Sequence, residues 1–192
     1  MITNLKSNTG FNKNAKLLLR SSAKAVINAP IDKIDIPEWL FALTDEEYQR
    51  CSVAHIAAGA TRTPDGSKRI EINVEKVGPG LMVQHWTEDI AEKRHCRLVS
   101  LSDMFVQLER TKMQLTWDTS VRPLSENSCE FTDTISVFET DEYLAFVKKS
   151  GASPEQMREE TQRALDAHNA EETPNFAKSI ERRVLSTAAR VA

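Results

Sequence analysis

Cysteine is scarce: Cys51, Cys96 and Cys129 are the only three in 192 residues, and no two have a C-x-x-C spacing. So sparse and odd a set excludes a disulfide scaffold or a zinc ribbon and points to buried thiols in a reduced, cytoplasmic compartment. The six glycines and seven prolines are too few for a collagen-like or low-complexity chain. No run approaches the roughly eighteen apolar residues of a membrane-spanning helix, so no stable membrane insertion is expected. Charge of one sign is also lacking. Lys and Arg number 25 against 28 Asp and Glu, a net charge of −3 that argues against a general nucleic-acid binder. Residues Met1 to Asn14 are polar and Asn-rich with no apolar core, and they read as a flexible arm over residues 1–15 rather than a secretory signal.

What is present is 40% hydrophobic residues in clear periodic stretches. From Lys16 to Ala29 the pattern has a period of two and predicts a strand, which ends at Ala29-Pro30. Ile31, Ile34, Trp39, Leu40 and Leu43 supply one or two short helices around Pro37. Thr44 and Glu47 form a capping box that starts another short helix. Six strands follow: Val53–Thr61, Arg69–Val77, Leu81–Ile90, Arg94–Met104, Met113–Arg122 and Glu130–Glu139. Pro64-Asp65-Gly66-Ser67, Gly78-Pro79-Gly80 and Ser125-Glu126-Asn127 mark turns between them. Within Arg69–Val77, Ile70, Ile72 and Val74 share one face and Glu71, Asn73 and Glu75 the other, as in an antiparallel sheet with one dry side.

The last third is helical. Asp141–Ser150 stops at Gly151, and Ser153-Pro154-Glu155-Gln156 caps a helix to about Asn169. Thr173-Pro174 opens a final helix whose Phe176, Ile180, Val184 and Ala188 form an apolar stripe. The order predicts an α+β fold in which seven antiparallel strands are covered by the terminal helix.

The segment Ala23 to Ile34, an alternating strand ending in Ala29-Pro30 and a short helix, resembles the opening of the START-like, pollen-allergen-like helix-grip superfamily, often called SRPBCC. The Gly78-Pro79-Gly80 hairpin, the strand Phe131–Phe138 and the closing helix fit the same pattern. The resemblance implies a helix-grip fold, a curved seven-stranded sheet around a C-terminal helix, as a single domain over residues 16–188. It also implies a deep, mostly apolar cavity for a hydrophobic small molecule. Members include polyketide cyclases and dehydratases, lipid carriers and hormone receptors. The iron-binding branch uses D-x-x-H-x-x-x-x-H, and His55, His85, His95 and His168 have no such spacing. The extra helical segment Asp141–Asn169 departs from the minimal pattern and suggests a lid or a homodimer contact.

Which residues face such a cavity depends on one hairpin. If Val77 pairs with Leu81, then Ile72 faces Trp86, Ile70 faces Glu88, and Met82, Gln84, Trp86, Glu88 and Ile90 join the dry face. A slip of one residue brings Val83, His85 and Thr87 inward instead. In the first register Gln84 is a polar orienter and Glu88 a carboxylate suited to proton transfer, unless Glu88 simply reaches water or an arginine such as Arg62 or Arg94. Asp133 shares parity with Phe131 and Ile135 and is the second acid to weigh, against a structural role. Trp86 and Trp117 are ligand-stacking candidates, with Met113, Phe131, Phe176 and Ile180 as further wall residues or plain core. Strand geometry separates His85 from Glu88 and from Asp89, so neither a metal nor another cofactor is expected. With these residues, the resemblance implies a protein that binds a hydrophobic small molecule in the cavity and, as an enzyme, a cofactor-free cyclase, dehydratase or isomerase acting on an aromatic or polyketide-like metabolite. A lipid or quinone carrier and a protein-interaction module are the alternatives.

Overall fold

The computed structural model describes residues 11–151 and 153–191, with the backbone alone over 187–191. Strand β1 (Leu17–Ile27) leads through a 3-10 turn at Ile31–Lys33 into helices α1 (Ile36–Leu40) and α2 (Asp45–Gln49). Both helices are capped by a side chain: Asp35 accepts from the Glu38 amide, and Thr44 accepts from the Glu47 amide. Six strands follow, β2 (His55–Arg62), β3 (Arg69–Val77), β4 (Gly80–Glu92), β5 (His95–Val106), β6 (Glu109–Ser125) and β7 (Ser128–Phe138). They form one antiparallel sheet in the order β1-β7-β6-β5-β4-β3-β2, a meander whose last strand pairs back with the first. Helices α3 (Asp141–Ser150) and α4 (Pro154–Val191) close the chain.

Helix α4 lies along β1 and reaches β7, β3 and α1. Its Phe176 and Ile180 are buried, and the Phe176 ring packs on Trp117 at 5.7 Å and edge to face on Trp39 at 5.4 Å between centroids. Trp39 donates its indole N–H to Ser179 Oγ at 3.0 Å, which ties α1 to α4. The expected arm lies outside the described residues up to residue 10. In the described part of that arm, residues 11–15, Asn12 is held down by Gln114, which accepts from its amide at 2.6 Å and donates to its carbonyl at 2.9 Å.

Three sequence expectations are corrected here. The two C-terminal helices are one, because Pro174 sits inside α4 rather than opening a new helix. Proline removes a backbone donor and crowds the preceding turn. Around it, Thr173 Oγ1 donates to the Asn169 carbonyl at 2.6 Å and Asn175 Nδ2 to the Glu171 carbonyl at 3.0 Å, so side chains supply donors to that turn. Strand β6 begins at Glu109, earlier than expected, because Gln107 and Leu108 make a two-residue turn with φ of 50° and 72°. Neither residue carries the Asn or Gly signature of that turn.

The third correction concerns the β3–β4 hairpin. Val77 pairs with Gly80, not Leu81, so the loop has only Gly78 and Pro79, with Gly78 at φ 56°. Glycine at the first of two loop positions fits a primed turn, which follows the twist of the strands. Shortening the loop by one residue turns β3 over relative to β4. Met82, Gln84 and Trp86 do face inward, but opposite Glu75, Asn73 and Glu71. The apolar Ile70, Ile72 and Val74 lie half-buried on the outer face.

Candidate functional site

The inverted strand places its polar face inside the grip, and other elements meet it there with ionisable groups. A bulge at His55 and Ala57 marks the start of β2, where the His55 ring is buried and stacked on Tyr48 from α2 at 3.7 Å. His55 Nδ1 donates to the Tyr48 carbonyl at 2.7 Å, which leaves Nε2 facing Glu172 Oε2 at 3.0 Å. On α4, His168 and Glu172 are four residues apart and share the face turned to the sheet. His168 Nε2 stands 3.4 Å from Oε2 of both Glu172 and Glu75, and its Nδ1 is 3.3 Å from Ser52 Oγ.

Glu75 is the most heavily bonded acid of the group. Its Oε2 accepts from the Tyr48 hydroxyl at 2.9 Å and its Oε1 from Gln84 Nε2 at 2.9 Å. Burial alone would raise its pKa, but the hydrogen bond and charge of His168, with His55 and Tyr48, bring it below the ordinary carboxylate value. His168 shows the complementary balance. Burial pulls it down, while Glu172 and Glu75 hold its proton and move it up to about 9. Glu71, further along β3, has no such partner. Its Oε2 has no hydrogen bond, and burial alone pushes it up to about 8. Buried ionisable groups cost folding energy unless they are paired, and clusters of them mark candidate sites.

Beside the cluster is a small cavity of about 20 Å³, bordered by Glu75, Glu172, Gln84, Trp86, Trp117 and Ile135. That is room for about one water molecule. The two tryptophans are 5.8 Å apart and form its aromatic wall. A larger apolar cleft of about 350 Å³ lies outside the grip, between β1, α3 and the start of α4, at Leu18, Leu19, Tyr143 and Val147.

The structure therefore brings Gln84, Trp86 and Trp117 to one cavity. Met113, Phe131, Phe176 and Ile180 are buried in the surrounding core and do not border it. Asp133 is fully buried on β7, where its Oδ1 accepts from the Trp117 indole at 2.9 Å and its Oδ2 has no partner. Burial, and then the charge of Glu172, hold its proton well above the usual range. Glu88 is not with the cluster. A bulge follows it, and it pairs with Arg69 at 2.6 Å, a residue that also binds Glu38 and lies over the Phe41 ring. An arginine does hold Glu88, though it is neither of the two expected. Sequence reading missed His55, His168, Glu172 and Glu75. One signal was there: Leu165, His168, Glu172, Phe176 and Ile180 run down one helical face, and polar groups interrupting an apolar stripe need a reason.

A curved antiparallel sheet closed by a long terminal helix, with the ionisable groups between them, defines the class: the chain has the START-like helix-grip fold. Its architecture is similar to that of the Zhui aromatase/cyclase from Streptomyces sp. R1128, with a TM-score of 0.60 at 13% identity over 86% of this chain and 94% of that one. It is also similar to the di-domain aromatase/cyclase StfQ from the steffimycin biosynthetic pathway, with a TM-score of 0.53 at 10% identity over 90% of this chain and 53% of that one. A conserved protein from Geobacillus kaustophilus gives 0.51 at 12% identity over 88% and 97%. At these identities the likeness is one of fold. No family model matches the sequence, and no curated protein does. Among the described residues no helix is long and apolar enough to cross a membrane.

Proposed function

We propose that the chain binds a small, mainly hydrophobic organic molecule inside the grip and processes it by proton transfer. The reaction would be a cyclisation, dehydration or isomerisation of an aromatic or polyketide-like metabolite. The observation that carries this reading is the contact of His168 Nε2 with Glu75 Oε2 at 3.4 Å beside an aromatic-walled cavity. Trp86 and Trp117 would take the flat apolar body of the ligand, and Gln84 and Tyr48 its carbonyl or hydroxyl group. A protonated imidazole next to a carboxylate supplies a proton donor and an acceptor at one place. A carrier of a purely apolar lipid has no use for such groups, and this favours an enzyme over the carrier alternative. A cavity of about 20 Å³ is far below the roughly 300–1,000 Å³ of ligand pockets, so entry requires the elements that border it to move apart.

Titration with a hydroxyanthraquinone, a planar aromatic ketone with hydroxyl groups, tests the reading through tryptophan emission. Saturable quenching is expected, with a smaller amplitude in Trp86→Phe. Flat emission while equilibrium dialysis shows the compound bound would move the site out of the grip. Absence of binding would reject this ligand class.

A further inference from the structure

Two imidazoles and a carboxylate converge on one point. His55 Nε2 and His168 Nε2 lie 3.0 and 3.4 Å from the same oxygen, Glu172 Oε2. Ligand atoms of these three buried residues all fall within 4.8 Å of one another. A tetrahedral zinc ion bonded to nitrogen and oxygen at about 2.0–2.1 Å sets its ligands about 3.3–3.4 Å apart; the two nitrogen–oxygen distances are close to that spacing, and the two imidazole nitrogens lie within 4.8 Å of each other.

Both rings are already oriented from behind. The Tyr48 carbonyl engages His55 Nδ1 at 2.7 Å, and the Ser52 hydroxyl lies 3.3 Å from His168 Nδ1. Metal-ligating histidines are fixed in this way, with one nitrogen bonded to a backbone or side-chain oxygen and the other turned to the ion. Opposite Glu172, Glu75 Oε2 stands 3.4 and 3.8 Å from the two Nε2 atoms, held by Tyr48 and Gln84. The water-sized cavity borders both glutamates.

We propose that His55, His168 and Glu172 bind a divalent first-row transition ion of the zinc type, with a fourth position open to a water beside Glu75. Two imidazole donors argue against magnesium and calcium, which take oxygen ligands. Three protein ligands and one open position are the pattern of zinc sites that act on a bound water. The ion would polarise that water or a substrate oxygen, and Glu75 is placed to accept its proton. The ion would take the place of the proton on His168 Nε2, so in the metal-bound form the bound water, not the imidazole, is the proton donor beside Glu75. Zinc uptake and quinone binding are read by separate measurements and can fail independently.

The test uses the full chain without a histidine tag, stripped with chelator and titrated with Zn²⁺ by calorimetry. One ion per chain is expected, and Co²⁺ in its place should give the visible absorption of a four- or five-coordinate centre. His168→Ala and Glu172→Gln should each weaken Zn²⁺ binding at least a hundredfold, and the double variant His85→Ala/His95→Ala should leave it unchanged. Ser52→Ala removes no ligand atom: it takes away the support behind the His168 ring, together with the bonds of Ser52 Oγ to Glu171 and the Ala54 amide, and should weaken binding by about tenfold. That variant keeps the test open if a ligand variant fails to fold. The proposal is overturned if the wild-type chain takes up no stoichiometric Zn²⁺. It is equally overturned if the affinity survives both Ser52→Ala and His168→Ala, or if it is lost in the His85/His95 variant.

Discussion

Gln84 Nε2 donates to Glu75 Oε1 at 2.9 Å, a diagonal bond across the β3–β4 hairpin that only the Val77–Gly80 register allows. The same amide accepts from the Trp86 indole at 3.3 Å, so Gln84 joins the ionisable cluster to the aromatic wall. Replacing it with leucine keeps the bulk and strands a buried carboxylate oxygen and a buried indole N–H. Gln84→Leu is expected to cost about 2–4 kcal/mol in urea unfolding. An unchanged midpoint would mean that this bond does not hold the hairpin interior together.

That bond also shows where sequence reading stops. The element order, the seven strands and the gripping helix were legible, because periods of two and 3.6 and the capping residues are local signals. The alternation in Arg69–Val77 separated Ile70, Ile72 and Val74 from Glu71, Asn73 and Glu75, but alternation does not say which set is inside. Assigning the apolar set to the interior failed because the interior of the grip is where this chain places its ionisable groups. Gln84 and Trp86 were turned inward through a Val77–Leu81 pairing that does not form, and they still border the cavity because β3, not β4, is the strand that turns over. His55 and His168 meet only through tertiary folding, so no spacing rule connects them.

The turn between β5 and β6 is strained in a way that can be relieved. Leu108 has φ 72° and is 99% exposed, so its side chain contributes no burial to offset the left-handed backbone. For a residue with a Cβ that conformation costs about 1–2 kcal/mol, part of which glycine gives back as greater freedom in the unfolded chain. Leu108→Gly is therefore expected to stabilise the protein by about 0.5–1 kcal/mol, read as a rise in thermal midpoint. A fall would show that this turn is not limited by φ.

Two glycines with similar backbone angles separate strain from packing. Gly66 has φ 71° with open space around its Cα, whereas a Cβ on Gly78, at φ 56°, would stand 3.1 Å from the Ala164 Cβ on α4. Gly66→Ala should cost the backbone strain alone, about 1–2 kcal/mol. Gly78→Ala should cost more, because the hairpin and the helix must also move apart. Equal losses in chemical denaturation would show that α4 does not press on the hairpin tip.

Glu71 sets a stability that depends on pH. It is 1% exposed, its Oε2 has no partner, and burial raises its pKa from 4.5 to about 8. Between those values the folded chain keeps this proton and the unfolded chain gives it up. The contribution is therefore fully present below pH 4.5, is lost steadily as pH rises, and levels off above pH 8. Glutamine has nearly the same shape and no proton to lose. Glu71→Gln should match the wild type at pH 4 and exceed it increasingly up to pH 8, by a ceiling on the order of 3–5 kcal/mol at one unit per ~1.4 kcal/mol. Urea midpoints of the two proteins at matched pH values check this. A difference that stays constant with pH would mean that Glu71 is ionised inside the fold and has found a partner there.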